Sequence, residues 1–461
     1  MSVISGFRIR SGLTVAFAAV LVSCTSSVAQ PSPTAPSPTA PSSAIAVPTP
    51  SAPPTPSAPP SPTTTATAAP TVTASPIATT ANPATPTATA LPPSPSPSNA
   101  GPGWKRVADQ PTLRGAQLDH VIWADAQFIA TGVNADSSPL LVASPDGMTW
   151  TALPPLGTDL SVGGIATSTA GTVIVGASGS AAMSWLSSDG AAWTAAPDAT
   201  SLHPTAHDSV QMRSVTATDS GWLAVGEENG DCQIDCDSAV LRAVVWTSPD
   251  GLNWTREPDA LSLARAAMTG VVRGGPGFVA VGRAPDDPTA SGGSAVHAVV
   301  WTSPDGQAWT RLSDAPVFHA PSGTDQTIGA SMHGVTEESG TLVAVGTVGS
   351  QDDVGSALAW WSSDGIAWSA GTGDDFHYGQ MFAVAAVPEG FIGTGPSGPD
   401  SCLGGVWSSP DGHAWTCIAS DPAFDGFVAY DAAASPDKEV VVGFGDSGDG
   451  TLPGVWVRAL P

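Results

Sequence analysis

SPDGLNW at 248–254 reads as a tight hairpin, and the same seven-residue device returns along the chain. It recurs as SPDGMTW at 144–150, SSDGAAW at 187–193, SPDGQAW at 303–309, SSDGIAW at 362–368 and SPDGHAW at 409–415. Pro presets φ at the first turn position and Asp suits the second. Gly then takes the left-handed conformation that reverses the chain. The carboxylate can accept N–H bonds from its own turn, and the Trp that follows buries on the order of 200 Å² against neighbouring strands. In five copies a second Trp stands four residues before the Asp: Trp185, Trp246, Trp301, Trp360 and Trp407; the first copy has Val142 there. The hairpin thus joins two strands, C and D.

Working outward, a short apolar strand B closing on Gly precedes each hairpin: QFIATG to Gly132, GTVIVG to Gly176, GWLAVG to Gly226 and GFVAVG to Gly282. TLVAVG to Gly346, GFIGTG to Gly395 and VVGFG to Gly445 complete the set. A further strand A lies ahead of each: HVIWA, GGIATS, RSVTAT, TGVVRG, HGVTEE, FAVAAV and FVAYDA. Four antiparallel strands repeated every roughly 45–60 residues are the signature of a propeller blade. Seven A–B pairs face only six complete C–D hairpins. The missing pieces lie at the ends of the domain. GVWVR, with Trp456, is a C strand with no chain to follow it, and GWKRV, with Trp104, is a D strand with no C strand before it. Their pairing predicts an all-β, seven-bladed β-propeller over 101–461, closed by its N-terminal strand and left with no open blade.

The hairpins resemble the Asp-box, or bacterial neuraminidase (BNR), repeat family, whose pattern is S-x-D-x-G-x-x-W between the third and fourth strands of a blade. Here the Asp-to-Trp spacing is one residue shorter in every copy. The resemblance implies a structural role on the periphery for Asp146, Asp189, Asp250, Asp305, Asp364 and Asp411, not a catalytic one. It also raises a sialidase-like exo-glycosidase. Sialidases resemble one another in a six-bladed ring, an Arg triad, a Tyr–Glu nucleophile pair and an Asp acid. In this sequence the ring counts seven and the Phe/Tyr-Arg-Ile-Pro motif is absent from the domain. Arg106, Arg256 and Arg311 follow a Trp on outer strands, leaving Arg114, Arg213, Arg265 and Arg283 with access to the ligand face. Tyr430, on strand A of blade 7, is placed to line the channel, whereas Glu337, Glu338, Glu389 and Glu439 fall at A–B turns on the opposite face.

Charge divides the chain. Residues 1–100 hold no Asp or Glu and only Arg8 and Arg10 as cations, so the remainder carries 40 acidic against 12 basic residues, a net charge of −28. Such a surface repels phosphate backbones and excludes nucleic acid as a partner. Arg8 and Arg10, the apolar run Leu13–Val22 and Leu21-Val22-Ser23-Cys24 resemble a bacterial lipoprotein signal peptide with its lipobox (1–23), which makes Cys24 the lipidated residue. The apolar run is too short to span a bilayer. Residues 24–100 form a Pro/Thr/Ser/Ala-rich linker that cannot bury enough apolar surface to fold. In extended polyproline II form its Pro-rich part reaches ~200 Å. The expected localisation is the bacterial cell surface or periplasm, lipid-anchored to the membrane.

The other four cysteines sit in an exported domain and are expected to pair locally, Cys232 with Cys236 and Cys402 with Cys417. Acidic B–C loops carry Glu227, Glu228, Asp231, Asp235, Asp237, Asp286, Asp287, Asp352, Asp353, Asp400, Asp446 and Asp449. Carboxylates of this kind are Ca²⁺ ligands when six to eight oxygens converge. None matches a Ca²⁺ loop, and no cofactor is expected. His203 and His207 with Asp208 are a weak metal pattern. No G-x-S-x-G elbow, phosphate loop or His-Glu-x-x-His helix occurs. The expectation is a monomeric, non-enzymatic binding propeller for an extracytoplasmic protein, peptide or glycan.

Overall fold

The computed structural model describes residues 103–206, 208–229, 241–286, 295–320, 329–349, 355–373, 376–398, 402–418, 422–446 and 450–460. Cys24, Asp231, Cys232, Asp235, Cys236, Asp237, Asp287, Asp352, Asp353, Asp400, Asp449 and His207 lie outside them. The sheets are seven, and each is ordered A-B-C-D from the inside outward. Neighbouring A strands touch around the whole circle, blade 7 against blade 1 included. The chain is a seven-bladed, all-β propeller.

Closure comes from the N-terminus. Lys105 and Arg106 pair antiparallel with Val457 and Trp456, and Val107 N–H donates to the Val455 carbonyl at 2.8 Å. Trp104 is buried there, edge-on to Phe424 at 5.7 Å, with the Arg458 guanidinium over its ring at 5.2 Å. This strand runs upward from the face that carries the C–D hairpins, so the chain enters the ring at that face. Blade 6 departs from the pattern. Thr372 and Gly373, from the connection out of blade 5, add a fifth strand in parallel to its outer edge.

In five blades a C-strand tryptophan ties the blade to the connection that enters it, whereas the Trp407 indole N–H of blade 6 has no hydrogen-bond partner among the described residues. The five indole N–H groups donate to carbonyls in these D–A connections: Trp185 to Leu156 (3.0 Å), Trp246 to Ser201 (2.8 Å) and Trp301 to Ser262 (2.7 Å). Trp360 donates to Val317 (2.7 Å) and Trp456 to Ala423 (2.6 Å). A buried indole needs a partner, and the connection's carbonyl supplies one.

Strand B closes on its glycine only in blade 6, where it ends at Thr394 before Gly395; in the other six blades it does not. In blade 3 it spans Gly221–Asn229 and in blade 4 Gly277–Pro285, so the strand runs past Gly226 and Gly282. Glu227 and Glu228 are therefore strand residues, buried, and not part of a solvated loop. In blade 7 the residue equivalent to these glycines is Gly443, not Gly445. The reason is a recurrent bulge on strand A.

Candidate functional site

In six blades the A–B register slips by one residue near the start of strand A. The slips fall between Leu118 and His120, Val162 and Gly164, Met212 and Ser214, Met268 and Gly270, Met332 and Gly334, and Ala429 and Asp431. Each leaves one extra residue out of the ladder, the definition of a β-bulge. The residue before each bulge faces a glycine of strand B: Gly132, Gly176, Gly226, Gly282, Gly346 and Gly443. At all six the bulge drives a strand A carbonyl to 1.9–2.0 Å from where a Cβ would stand, and at Gly395 in blade 6 the Gln380 carbonyl comes to 2.1 Å. No side chain fits, which is why strand B carries Gly there.

The residues thrown out of register are Asp119, Gly163, Arg213, Thr269, His333 and Tyr430, with Phe382 in the equivalent place of blade 6. All belong to the innermost strands, at the end where the D–A connections and B–C loops meet. They form the mouth of the central channel, one residue per blade. Neighbouring blades are stitched beside them. Thr269 Oγ donates to the Met332 carbonyl (2.8 Å) and Thr394 Oγ to that of Tyr430 (2.9 Å). Val271 N–H donates to Ser214 Oγ (3.2 Å), and across the closing seam Val121 N–H donates to the Asp431 carboxylate (3.0 Å). A Cβ on Gly163 would lie 2.1 Å from the Met212 carbonyl, so blades 2 and 3 meet backbone to backbone.

The mouth has two chemically different halves. On blades 3 to 5, Arg213 donates from Nε (3.1 Å) and Nη2 (2.6 Å) to Glu227 Oε1, while Arg283 Nη2 stands 3.9 Å from Oε2. Glu227 is 2% exposed and the two guanidiniums 38% and 35%, so a buried anion presents two cations to solvent. Burial would raise the Glu227 carboxyl, but Arg213 and Arg283 outweigh it and hold it below its ordinary range. His333, beside them, is held down to about 3 by burial and then by the charges of Arg283 and Arg213, so its imidazole is neutral.

On blades 6, 7 and 1 the wall is aromatic. Phe382 meets His333 edge-on at 5.4 Å and Tyr430 at 5.9 Å, and Tyr430 stacks on Phe444 at 5.2 Å. Burial and then the Asp119 charge push the Tyr430 phenol up to about 12. Burial alone lifts Asp119 to about 6. Behind them, Asp431 is raised by burial to about 7 although Val121 and Ala432 N–H groups bond it, and His120, 3.9 Å away, is lowered by burial to about 4.

Other sequence candidates fall elsewhere. Glu228 points to the opposite side of its sheet. It pairs with Arg256 and accepts the Thr205 and Ala206 N–H bonds at 2.8 and 2.7 Å, tying down the connection from blade 2. Arg114 lies on the surface, and Arg265 has a positive φ of 54° with its Nε buried. Glu439 is not at a turn but in strand B of blade 7, buried and held by Arg458 Nε at 2.7 Å. His203 is taken up by Asp198 at 2.6 Å, and Asp286 by His297 Nδ1 at 2.8 Å. Among the described residues, no group of three or more His, Cys, Asp or Glu is arranged to hold a metal ion.

The six hairpin aspartates occupy the face opposite the mouth. In every copy Oδ1 accepts the N–H groups two and three residues on and the hydroxyl of the Ser two before. At Asp250 these are Leu252 (3.0 Å), Asn253 (2.7 Å) and Ser248 (3.2 Å). Asp146, Asp189, Asp305, Asp364 and Asp411 repeat the pattern. Five of the six box Trp indoles donate to their own turn Gly at 3.0–3.1 Å. Cys402 and Cys417 are joined by a disulfide, but not as cross-strand neighbours. Trp407 is the partner opposite Cys417, and Cys402 precedes strand C by a one-turn 3₁₀ segment that brings it back across the hairpin.

No family model and no curated protein matches the chain. Among solved structures, the chain is similar to YCF48 bound to D1 peptide, at 17% identity over 78% of this chain and 97% of that one, with a TM-score of 0.46. It is similar to Trypanosoma rangeli sialidase at 14% identity, covering 78% of this chain but 60% of that one, TM-score 0.42. Phage phi92 endosialidase follows at 12%, with 77% and 68% covered and a TM-score of 0.41. The likeness is one of strand arrangement and assigns no ligand.

Proposed function

We propose that this chain is a non-enzymatic, extracytoplasmic binding propeller of the Asp-box kind, carried by a lipid on Cys24 and taking a protein, peptide or glycan at the channel mouth. The observation that carries the reading is the mouth itself. Every blade delivers one residue there, six of them from a bulge, and the seven are chemically diverse: Asp119, Gly163, Arg213, Thr269, His333, Phe382 and Tyr430. Rigid strands hold them, which suits recognition of a shaped surface.

The arrangement argues against a Tyr nucleophile. Burial and the Asp119 charge raise the Tyr430 phenol to about 12, so at neutral pH it is held protonated rather than poised for attack. One observation favours a sialidase-like reading all the same, the exposure of Arg213 and Arg283 side by side. The test is to offer the purified full-length protein a fluorogenic sialoside and, separately, arrays of peptides and glycans. Saturable binding that is lost on mutation of mouth residues, without turnover, is expected. Sialoside turnover abolished by Tyr430→Phe would overturn the reading.

A further inference from the structure

We infer that the half of the mouth on blades 6, 7 and 1 is a seat for a basic side chain, so the partner is a protein or peptide presenting a Lys or Arg. This rests on the binding reading and narrows it to one chemistry.

The two halves are not equivalent as ligand sites. On blades 3 to 5, Arg213 is already engaged by two donors on one oxygen of Glu227, and the neighbouring His333 adds no charge. With one carboxylate against two guanidiniums, that half keeps a net positive charge and repels a cation. Asp119 has no counter-ion among the described residues: it lies half-buried at the rim, burial is the one cause of its shift, and neither a hydrogen bond nor an ion pair to those residues satisfies it. A carboxyl removed from water and left without a partner is costly unless something completes it. The Tyr430 hydroxyl, close enough to feel the Asp119 charge, is likewise without a hydrogen bond among the described residues.

Phe382, Tyr430 and Phe444 form a run of rings with successive centroids 5.9 and 5.2 Å apart, and the adjoining strands of blades 7 and 1 carry Tyr430 and Asp119 at their bulges. Ring faces attract cations and repel anions, and a carboxylate beside them adds direct charge pairing. An aliphatic stem laid along the rings with its charged head at Asp119 satisfies both features. The long-range field agrees. A net charge of −28 beyond residue 100 draws basic segments towards the domain and repels acidic ones.

The experiment measures binding of the full-length protein to three fluorescent nonapeptides of Gly and Ser that differ only in a central Lys, Gln or Glu. The Lys peptide is expected to bind best. Asp119→Asn, an isosteric change at a group with no hydrogen bond to lose, should weaken it about tenfold or more, and Phe382→Leu several-fold. Raising the salt from 50 to 300 mM should weaken it further. Arg283→Gln, which removes a cation from the other half, should strengthen it. Binding of the Glu peptide that is lost in Arg283→Gln and retained in Asp119→Asn would overturn this inference and leave the binding reading standing. Lys-peptide binding indifferent to Asp119→Asn would also overturn it. Sialoside turnover with no peptide bound would remove the binding reading as well.

Discussion

Glu228→Gln should destabilise the propeller by about 3 kcal/mol at neutral pH. Glu228 is fully buried, 0% exposed, against an Arg256 that is 9% exposed, and it accepts two backbone N–H bonds from the connection out of blade 2. Burial alone would raise its carboxyl, but the Ala206 and Thr205 bonds and Arg256 bring it from 4.5 down to about 2. At ~1.4 kcal/mol per pKa unit that difference corresponds to about 3 kcal/mol, close to the ~3–5 kcal/mol seen when one member of a buried pair is removed. For a domain of this size it amounts to about 4 °C in Tm. The folded-state value is lowered, so this stability is present above the unfolded value and is lost as pH falls from about 4.5 towards 2. Urea denaturation followed by Trp fluorescence, in wild type and variant between pH 3.5 and 7, should show a gap that narrows on acidification. Adding Arg256→Met should recover most of the loss, because the stranded charge is removed with its partner. A gap below 1 kcal/mol at pH 7, or one independent of pH, would refute the reasoning.

Asp250→Ala should cost about 1–2 kcal/mol, from two N–H groups left to water at an exposed turn, with Asp250→Asn recovering part of it; thermal melts decide. Asp431 is raised in the folded state, so its contribution is full at acid pH and is lost as pH rises through about 7. Asp431→Asn should flatten that slope and raise Tm at pH 8. Reducing the Cys402–Cys417 bridge, which closes a loop with a separation of 15 residues, should cost about 3 kcal/mol, read from melts with and without a thiol reductant. Deleting residues 103–107 should abolish cooperative unfolding, since blade 7 would lose its outer strand.

The blade count and the closure were legible because both rest on local patterns. The hairpin needs Asp and Gly at fixed offsets, and the widow strands around Trp104 and Trp456 show themselves by lacking partners. The mouth was legible only in part. Tyr430 and Arg213 could be placed by strand order, but Asp119, His333 and Phe382 could not. A bulge inverts the alternation that tells inside from outside, and nothing within strand A announces it. The signal stood on strand B, in the repeated Gly, and was read as an end to the strand. The same misplacement put Glu227 and Glu228 in solvent. Their burial becomes visible only when strand B is carried past its Gly and Arg213, Arg283 and Arg256 arrive from other strands.

The bulge also sets apart what the frame requires from what it tolerates. Each blade reserves one glycine for the crossing carbonyl, and in return the residue opposite is released from the ladder and from the core. Such a position can change identity where it neither abuts the next blade, as Gly163 does, nor pairs with a buried group, as Arg213 does with Glu227. The remaining sites make the ring a combinatorial surface, in which a new specificity is reachable by point substitution while the architecture stands still.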